Sequence, residues 1–180
     1  MNSPQVAIWQ PAYIGLGSNL EEPRVQIRRA CAGLQALAAT RLVRVSPLYR
    51  SKPFGPVPQP DFVNAVAGVL TQLDSRALLG ELQALERAIG RPADRQRWGP
   101  RIIDLDLLVF GRERRDDPGL TLPHGGIVER NFVLYPLCDL APDLEVPGLG
   151  RVAELKERLA PEGLERLGET GNPSGYLRET

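Results

Sequence analysis

The chain has 180 residues, with 22 Lys and Arg against 22 Asp and Glu, a formal net charge of zero and an isoelectric point near 6.6. That balance argues against a nucleic-acid binder working through a broad basic surface, yet leaves room for a small polyanion held by a local arginine cluster. Hydrophobic residues are 42% and charged residues 24%, which excludes wholesale disorder, and the length suits one ordinary domain.

In chain order, AYIGLGSNL (Ala12 to Leu20) predicts a short buried strand ending in a Gly-Ser-Asn turn, where Ser18 or Asn19 can cap the next helix. Ile27, Cys31, Leu34 and Ala38 recur at helical spacing and predict that helix over about 22–39. TRLVRVSPLYRS (Thr40 to Ser51) alternates and reads as one strand, with Leu42, Arg44 and Ser46 facing one way and Val43, Val45 and Pro47 the other. KPFGPVPQP (Lys52 to Pro60) holds four prolines and a glycine, so it is a stiffened loop. DFVNAVAGVLTQL returns to strand. Asp74 or Ser75 caps a second helix, whose stripe of Leu78, Leu82, Leu85 and Ile89 ends at Gly90.

The polar loop RPADRQRWGP (Arg91 to Pro100) leads into the strand RIIDLDLLVFG. LTLPH (Leu120 to His124) is short and extended, NFVLYPLCDLAP (Asn131 to Pro142) reads as a short helix, and a helix and strand after Gly150 look peripheral. Residues 1–11 and 168–180 are expected to be peripheral or frayed. The order strand, helix, strand, strand, helix, strand suits a ferredoxin-like α+β sandwich with a mainly antiparallel sheet, in a single domain over 1–180. Cys31 and Cys138 match no metal or redox spacing and sit among apolar residues, as buried free thiols in a reducing cytosol would. The first eleven residues lack the pattern of a signal peptide and no apolar run is long enough to span a membrane, so the expected location is the cytoplasm.

The strand from Arg101 poses a physical problem. Ile103, Leu105, Leu107 and Val109 fall on one face, and Asp104 and Asp106 fall together on the other. Aspartate is disfavoured in strands and two like charges on one face repel; a bound cation relieves both. Taken alone, the D-x-D pattern also fits the solvated face of an edge strand. Arg91, Arg95, Arg97 and Arg101 precede it, and acidic metal ligands beside arginines suit a polyphosphate. Arg101 lies at i−3 from Asp104, so it reaches that face only if the chain bends after Gly99-Pro100. No G-x-x-x-x-G-K-[ST] cradle is present.

Four segments in order, YIGLGSNL, SPLYRSKPFG with QPDFVNAV, RWGPRIIDLDLLVFG, and LTLPHGGIVERNFVLYPLCDLAP, resemble the signature blocks of the 6-hydroxymethyl-7,8-dihydropterin pyrophosphokinase family, over about Ala12 to Pro147. The resemblance implies transfer of pyrophosphate from ATP to the pterin's hydroxymethyl oxygen in folate synthesis, with attack at the β-phosphorus, release of AMP and two magnesium ions on the triphosphate. It implies Asp104 and Asp106 as metal ligands, with Arg91 and Arg101 beside them in the catalytic set. On the ATP side it places Gln83, Glu86, Arg91, Trp98, Arg101, Leu107, His124 and Arg130. On the pterin side it places Ser51, Phe54, Phe62, Asn64, Trp98, Asp104 and Phe132, with Phe62 and Phe132 sandwiching the ring and Asn64 reading its edge. By pattern alone Phe62 and Phe132 also read as core, Asn64 as a turn or bulge residue, His124 as structural and Glu86 as a solvated helix edge.

The family's second loop often carries an arginine where this chain has Ala93. One stacking position is often tyrosine and here is Phe62. Gly125-Gly126 follows His124 where a larger residue is common, an expected loss of a nucleotide contact and a looser turn. Two other functions share some of these features. A metal-dependent phosphohydrolase would use the acids and arginines but not Phe62, Asn64 and Phe132. A non-catalytic nucleotide- or RNA-binding module would want exposed aromatics and a basic face. The expected partners are ATP and the pterin, with no nucleic acid and no membrane, in a monomer or a homodimer.

Overall fold

The computed structural model describes residues 8–91 and 99–168. Strand β1 (Gln10–Ser18) leads to helix α1 (Pro23–Ala36), then β2 (Thr40–Val45), β3 (Leu48–Ser51), β4 (Phe62–Thr71), α2 (Ser75–Ile89) and β5 (Asp104–Phe110). Two short strands, β6 (Arg115–Asp117) and β7 (Leu120–Leu122), pair with each other before α3 (Asn131–Leu140). The chain closes with the pair β8 (Glu145–Val146) and β9 (Gly150–Arg151), α4 (Val152–Glu157) and β10 (Leu164–Leu167).

The main sheet has the order β10-β3-β4-β1-β5, with β2 also on β4, and every pairing is antiparallel. Alternation sorts its side chains onto two faces. Ala12, Ile14 and Leu16 of β1 and Val63, Ala65, Ala67 and Val69 of β4 pack with Ile27 and Leu34 of α1 and Leu78 and Leu82 of α2. Tyr13 and Val66, on the other face, pack with Val133, Leu134 and Leu137 of α3 and Val152 and Leu155 of α4. Each fully buried Leu or Ile in these layers stabilises the fold by about 1.5–3 kcal/mol, before any cavity penalty.

Several local expectations need correction. Thr40 to Ser51 is two strands, because Pro47 has no N–H to give the ladder. Ser46 bridges the break: its N–H donates to the Val66 carbonyl (2.8 Å) and its Oγ accepts the Val66 N–H (2.9 Å). A register shift between Leu42 and Arg44 also breaks the simple alternation, so Leu42 and Val45 are both buried while Val43 and Arg44 are exposed. Helix α1 ends at Ala36, and Ala38 lies exposed beyond it. Its N-cap position is Glu22, in the left-handed region and with no side-chain cap bond, so neither Ser18 nor Asn19 caps it. Asp74 does cap α2, accepting the Ala77 N–H at 2.8 Å, and Gly90 closes that helix with φ of 118°.

The expected inward face of β5 holds only at its start. Tyr13 pairs with Val109 but Ile14 pairs with Leu107, so Leu108 is an extra residue, a β-bulge. Leu105, Leu107 and Phe110 face α1 and α2, whereas Leu108 and Val109 join the layer of α3 and α4. Among the described residues no helix is long and apolar enough to cross a membrane. Cys31 is fully buried but Cys138 is only half-buried, and both are free.

Candidate active site

The ends of β1, β4 and β5 meet at one end of the sheet, where two clefts adjoin. The first, of about 260 Å³, is lined by Ser51, Phe54, Phe62, Asn64 and Phe132. The second, of about 430 Å³, is lined by Gln83, Glu86, Arg91, Leu107 and Thr121. Arg101, Asp104, Asp106 and His124 line both, so the two acids form the wall between them.

Sheet register explains why that wall is clear. Asp104 pairs with Gly17 across β1, and Gly17 pairs on its other side with Asn64 of β4. A Cβ on Gly17 would stand 3.4 Å from the Asn64 Oδ1, in the path between amide and carboxylate. Asp106 likewise pairs with Gly15.

The charges are tightly arranged. Arg91 Nη1 lies 2.7 Å from Asp104 Oδ1 and also contacts Glu86, while Arg101 Nη1 contacts Asp104 Oδ2. The bend after Gly99-Pro100 therefore brings Arg101 back to the acid, although β5 begins only at Asp104. Glu86 is buried, contrary to a solvated helix edge, and its Oε1 also accepts the Leu105 N–H at 2.7 Å. One carboxylate thus fixes α2 to β5 and aims Arg91. Burial, with a smaller push from Asp104, raises the Glu86 pKa, against the pull of the Leu105 N–H and Arg91. Enclosure by protein, then repulsion from Asp104, raises that of Asp106, against His124, Arg130 and Arg101.

His124 is placed by the bulge. Its N–H donates to the Leu108 carbonyl at 2.8 Å. Its Nδ1 accepts the Gly126 N–H at 3.0 Å, which assigns the neutral ring's proton to Nε2, 3.9 Å from Asp106 Oδ2. The glycine pair has two separate effects. A Cβ on Gly126 would lie 2.7 Å from the Arg130 Nε, so this glycine lets the arginine lie over the turn, whereas one on Gly125 would meet open space. The turn itself is held by two bonds onto His124, from the Gly126 N–H and from the Ile127 N–H (3.2 Å).

In the first cleft Asn64 is buried and its Nδ2 donates to Ser51 Oγ at 2.9 Å. This bond fixes the amide on a regular pair of strands, β3 and β4, so Asn64 is neither a turn nor a bulge residue. Phe62 and Phe132 are half-buried and line the cleft, and Phe54 is 54% exposed on the proline-rich loop. Trp98, together with Ala93, Arg95 and Arg97, lies outside the described residues.

Sequence reasoning missed Asn19. It is 3% exposed and joins three segments. Its N–H donates to the Arg101 carbonyl (3.0 Å) and its Oδ1 accepts the Arg101 N–H (2.7 Å). Its Nδ2 donates to Gln59 Oε1 (2.9 Å) and to the Pro60 carbonyl (3.0 Å). An asparagine after a Gly-Ser turn reads locally as a cap, and its partners lie 40, 41 and 82 residues away, so no spacing pointed to them.

Among the described residues no three His, Cys, Asp or Glu side chains converge as a closed metal site. Two carboxylates on one wall suit a hard cation whose shell is completed by substrate phosphates, the usual situation of magnesium.

A family model described as 7,8-dihydro-6-hydroxymethylpterin-pyrophosphokinase (HPPK) matches residues 13–142. The chain belongs to this family. It is 52% identical over 158 residues to a 2-amino-4-hydroxy-6-hydroxymethyldihydropteridine pyrophosphokinase of Pseudomonas aeruginosa, covering 88% of this chain and 97% of that one. It is 44% identical over 156 residues to the Haemophilus influenzae protein of the same name, covering 87% and 97%. Among solved structures, wild-type Plasmodium falciparum HPPK-DHPS with STZ-DHP superposes with a TM-score of 0.67 at 15% identity, over 84% of this chain and 43% of that one. At that identity the likeness concerns the fold alone, and this chain spans less than half of the Plasmodium chain.

Proposed function

We propose that the protein is a magnesium-dependent pyrophosphokinase, which transfers pyrophosphate from ATP to the hydroxymethyl group of 6-hydroxymethyl-7,8-dihydropterin and releases AMP in folate biosynthesis. The observation that carries the site assignment is the acid wall shared by two clefts, one with an aromatic pair and a fixed amide, the other with arginines. A flat heterocycle gains from stacking on both faces, here Phe62 and Phe132, and its edge needs the donor and acceptor of Asn64. The triphosphate takes the second cleft, against Arg91, Arg101 and His124, with Gln83, Glu86 and Leu107 on the nucleotide side, and Arg130 reaches towards it from the first cleft, which it lines. Ser51 and Phe54 complete the pterin side, and Trp98 belongs to the loop expected to close over both substrates.

Asp104 and Asp106 would hold two magnesium ions, which supply charge neutralisation on the triphosphate and activation of the attacking hydroxyl. The hydroxymethyl oxygen attacks the β-phosphorus in line. The bond from that phosphorus to the αβ-bridging oxygen breaks, and AMP leaves with the electron pair. Asp106, on the wall between the two clefts, accepts the hydroxyl proton. Arg91 and Arg101 exchange part of their contact with Asp104 for phosphate oxygens and stabilise the transferring charge. Asn19 holds the Arg101 backbone and the end of the Lys52–Pro60 loop together, so the two substrates' walls are in register.

We further read the chain as a single ferredoxin-like domain, acting in the cytoplasm as a monomer or a homodimer; the all-antiparallel main sheet, with α1 and α2 packed together on one face, supports the fold part of this reading. The test is product analysis with protein, ATP, magnesium and the pterin, with Asp104→Ala in parallel. Pterin-dependent AMP, without ADP and absent from the variant, is expected. ADP or free phosphate without pterin would identify a hydrolase instead, and magnesium-independent nucleotide binding without turnover would identify a binding module.

A further inference from the structure

Helix α3 carries Phe132 in its first turn, and that turn is weakly tied to the rest of the helix. Pro136, four residues on, has no N–H, so the Phe132 carbonyl lacks its i+4 partner in the helix. Something outside the helix must hold the ring's position. The chain from Leu159 to Leu167 passes over α3 and supplies three attachments. Asn131 Nδ2 donates to the carbonyls of Ala160 and Glu162, both at 3.0 Å. Tyr135 Oη donates to the Leu159 carbonyl at 2.9 Å. Arg166 Nε donates to Asp139 Oδ2 at 3.3 Å.

The same segment is attached to the opposite wall. As β10 it pairs with β3, placing Leu164 opposite Ser51 and Arg166 opposite Tyr49. Arg50 and Glu165 form an ion pair across that pairing. Ser51 holds Asn64 and pairs in turn with Phe62. Tyr49, 5% exposed, completes the link by donating its hydroxyl to Asp139 Oδ2 at 2.6 Å. Phe132 and Asp139 are seven residues apart, two turns along the same helix face, so anchoring Asp139 fixes the rotation that aims Phe132.

We propose that the strap from Leu159 to Leu167, acting through Asn131 and Tyr49 as positioning residues, sets the gap between the Phe132 ring and the Phe62 wall. A strap needed only to cover the edge of β3 would not require the paired bonds from Asn131, which touch neither strand. The proposal rests on the reading of Phe62 and Phe132 as the pterin's stacking pair.

The experiment measures steady-state KM for 6-hydroxymethyl-7,8-dihydropterin and for ATP in the full chain, with urea unfolding midpoints alongside. Asn131→Ala and Tyr49→Phe are each expected to raise the pterin KM about fivefold, the scale of one or two lost hydrogen bonds, while the ATP KM stays within about twofold. Asn131→Ser, which keeps one donor, should recover part of the loss. Lower unfolding midpoints with both KM values unchanged would overturn the proposal and leave the strap a structural edge. Phe132→Ala separates the premise from the inference: an unchanged pterin KM there would remove the stacking assignment itself. A raised one, with Asn131→Ala and Tyr49→Phe silent, would overturn only the strap.

Discussion

Asp104 has both carboxylate oxygens engaged by arginines, and one of those arginines is aimed by a buried glutamate. Removing the aiming group has a separable cost. Glu86→Ala leaves the Leu105 N–H without its partner and Arg91 without its guide. A loss of about 1–3 kcal/mol in unfolding free energy is expected, together with a lower kcat. Glu86→Gln keeps an acceptor for Leu105, so most stability should return while the rate stays low. Equal recovery of both would show that the charge on Glu86 does not matter. The glycine pair after His124 gives a second contrast. Gly126→Ala places a methyl 2.7 Å from the Arg130 Nε and should raise the ATP KM about tenfold by displacing that arginine. Gly125→Ala, facing open space, should leave it unchanged; equal effects in nucleotide titrations would refute the distinction.

These residues also show what was readable beforehand. Asp104 and Asp106 announce themselves because two like charges in an apolar strand violate the strand's own preferences. Asn64, Phe62 and Phe132 carry no such local signal, and only the ordered blocks singled them out. Asn19 and Asn131 escaped altogether. Each does its work through carbonyls and amides distant in the chain, and an asparagine with long-range partners looks like any other polar turn residue.

At the scale of elements, strands and helices with clean periodicity were legible: β4 and α2 lie where their patterns put them, β1 is displaced towards the N-terminus, at Gln10–Ser18, and β5 begins at Asp104 rather than Arg101. The misread strand faces share one cause. At Pro47, at the Leu42–Arg44 shift and at Leu108, one residue interrupts the ladder, and alternation cannot be read through an interruption. The Asn19 junction belongs to this scale too, since it ties the end of β1 to the proline-rich loop and to the approach to β5. Asn19→Ala strips partners from the Arg101 N–H, Gln59 and the Pro60 carbonyl at once. It is expected to cost about 2 kcal/mol and to raise both substrates' KM values, a pattern that distinguishes it from Asn131→Ala. An effect on only one substrate would show that the junction does not link the two clefts.

For the whole molecule, pH sets a stability limit on the alkaline side. Burial pushes the Cys31 thiol up to about 12 from an ordinary value of 9.0. Burial and the bond to Asp139 push the Tyr49 phenol up as well, against the pull of Arg166. A group raised on folding contributes its full share of stability below its unfolded pKa and loses it as pH climbs towards the folded one. Stability should therefore fall from about pH 9 upward, with Cys31 alone contributing up to about 1.4 kcal/mol per pH unit. Urea unfolding of Cys31→Ala should show a shallower decline over pH 9–11. An identical slope would mean that the thiol stays reachable by water in the folded protein.

The extra residue at Leu108 divides β5 into two stretches of opposite phase. Upstream, the parity of the chain decides which side chains line the two clefts; downstream, it decides which side chains seal the layer under α2. Without the insertion one parity would have to serve both ends, and Phe110 would turn away from the packing it completes. Deleting Leu108 should consequently be far worse than replacing it: the strand would have to sacrifice either its acids or its anchor. The spare residue thus decouples two constraints, letting the cleft end vary without retuning the packed end.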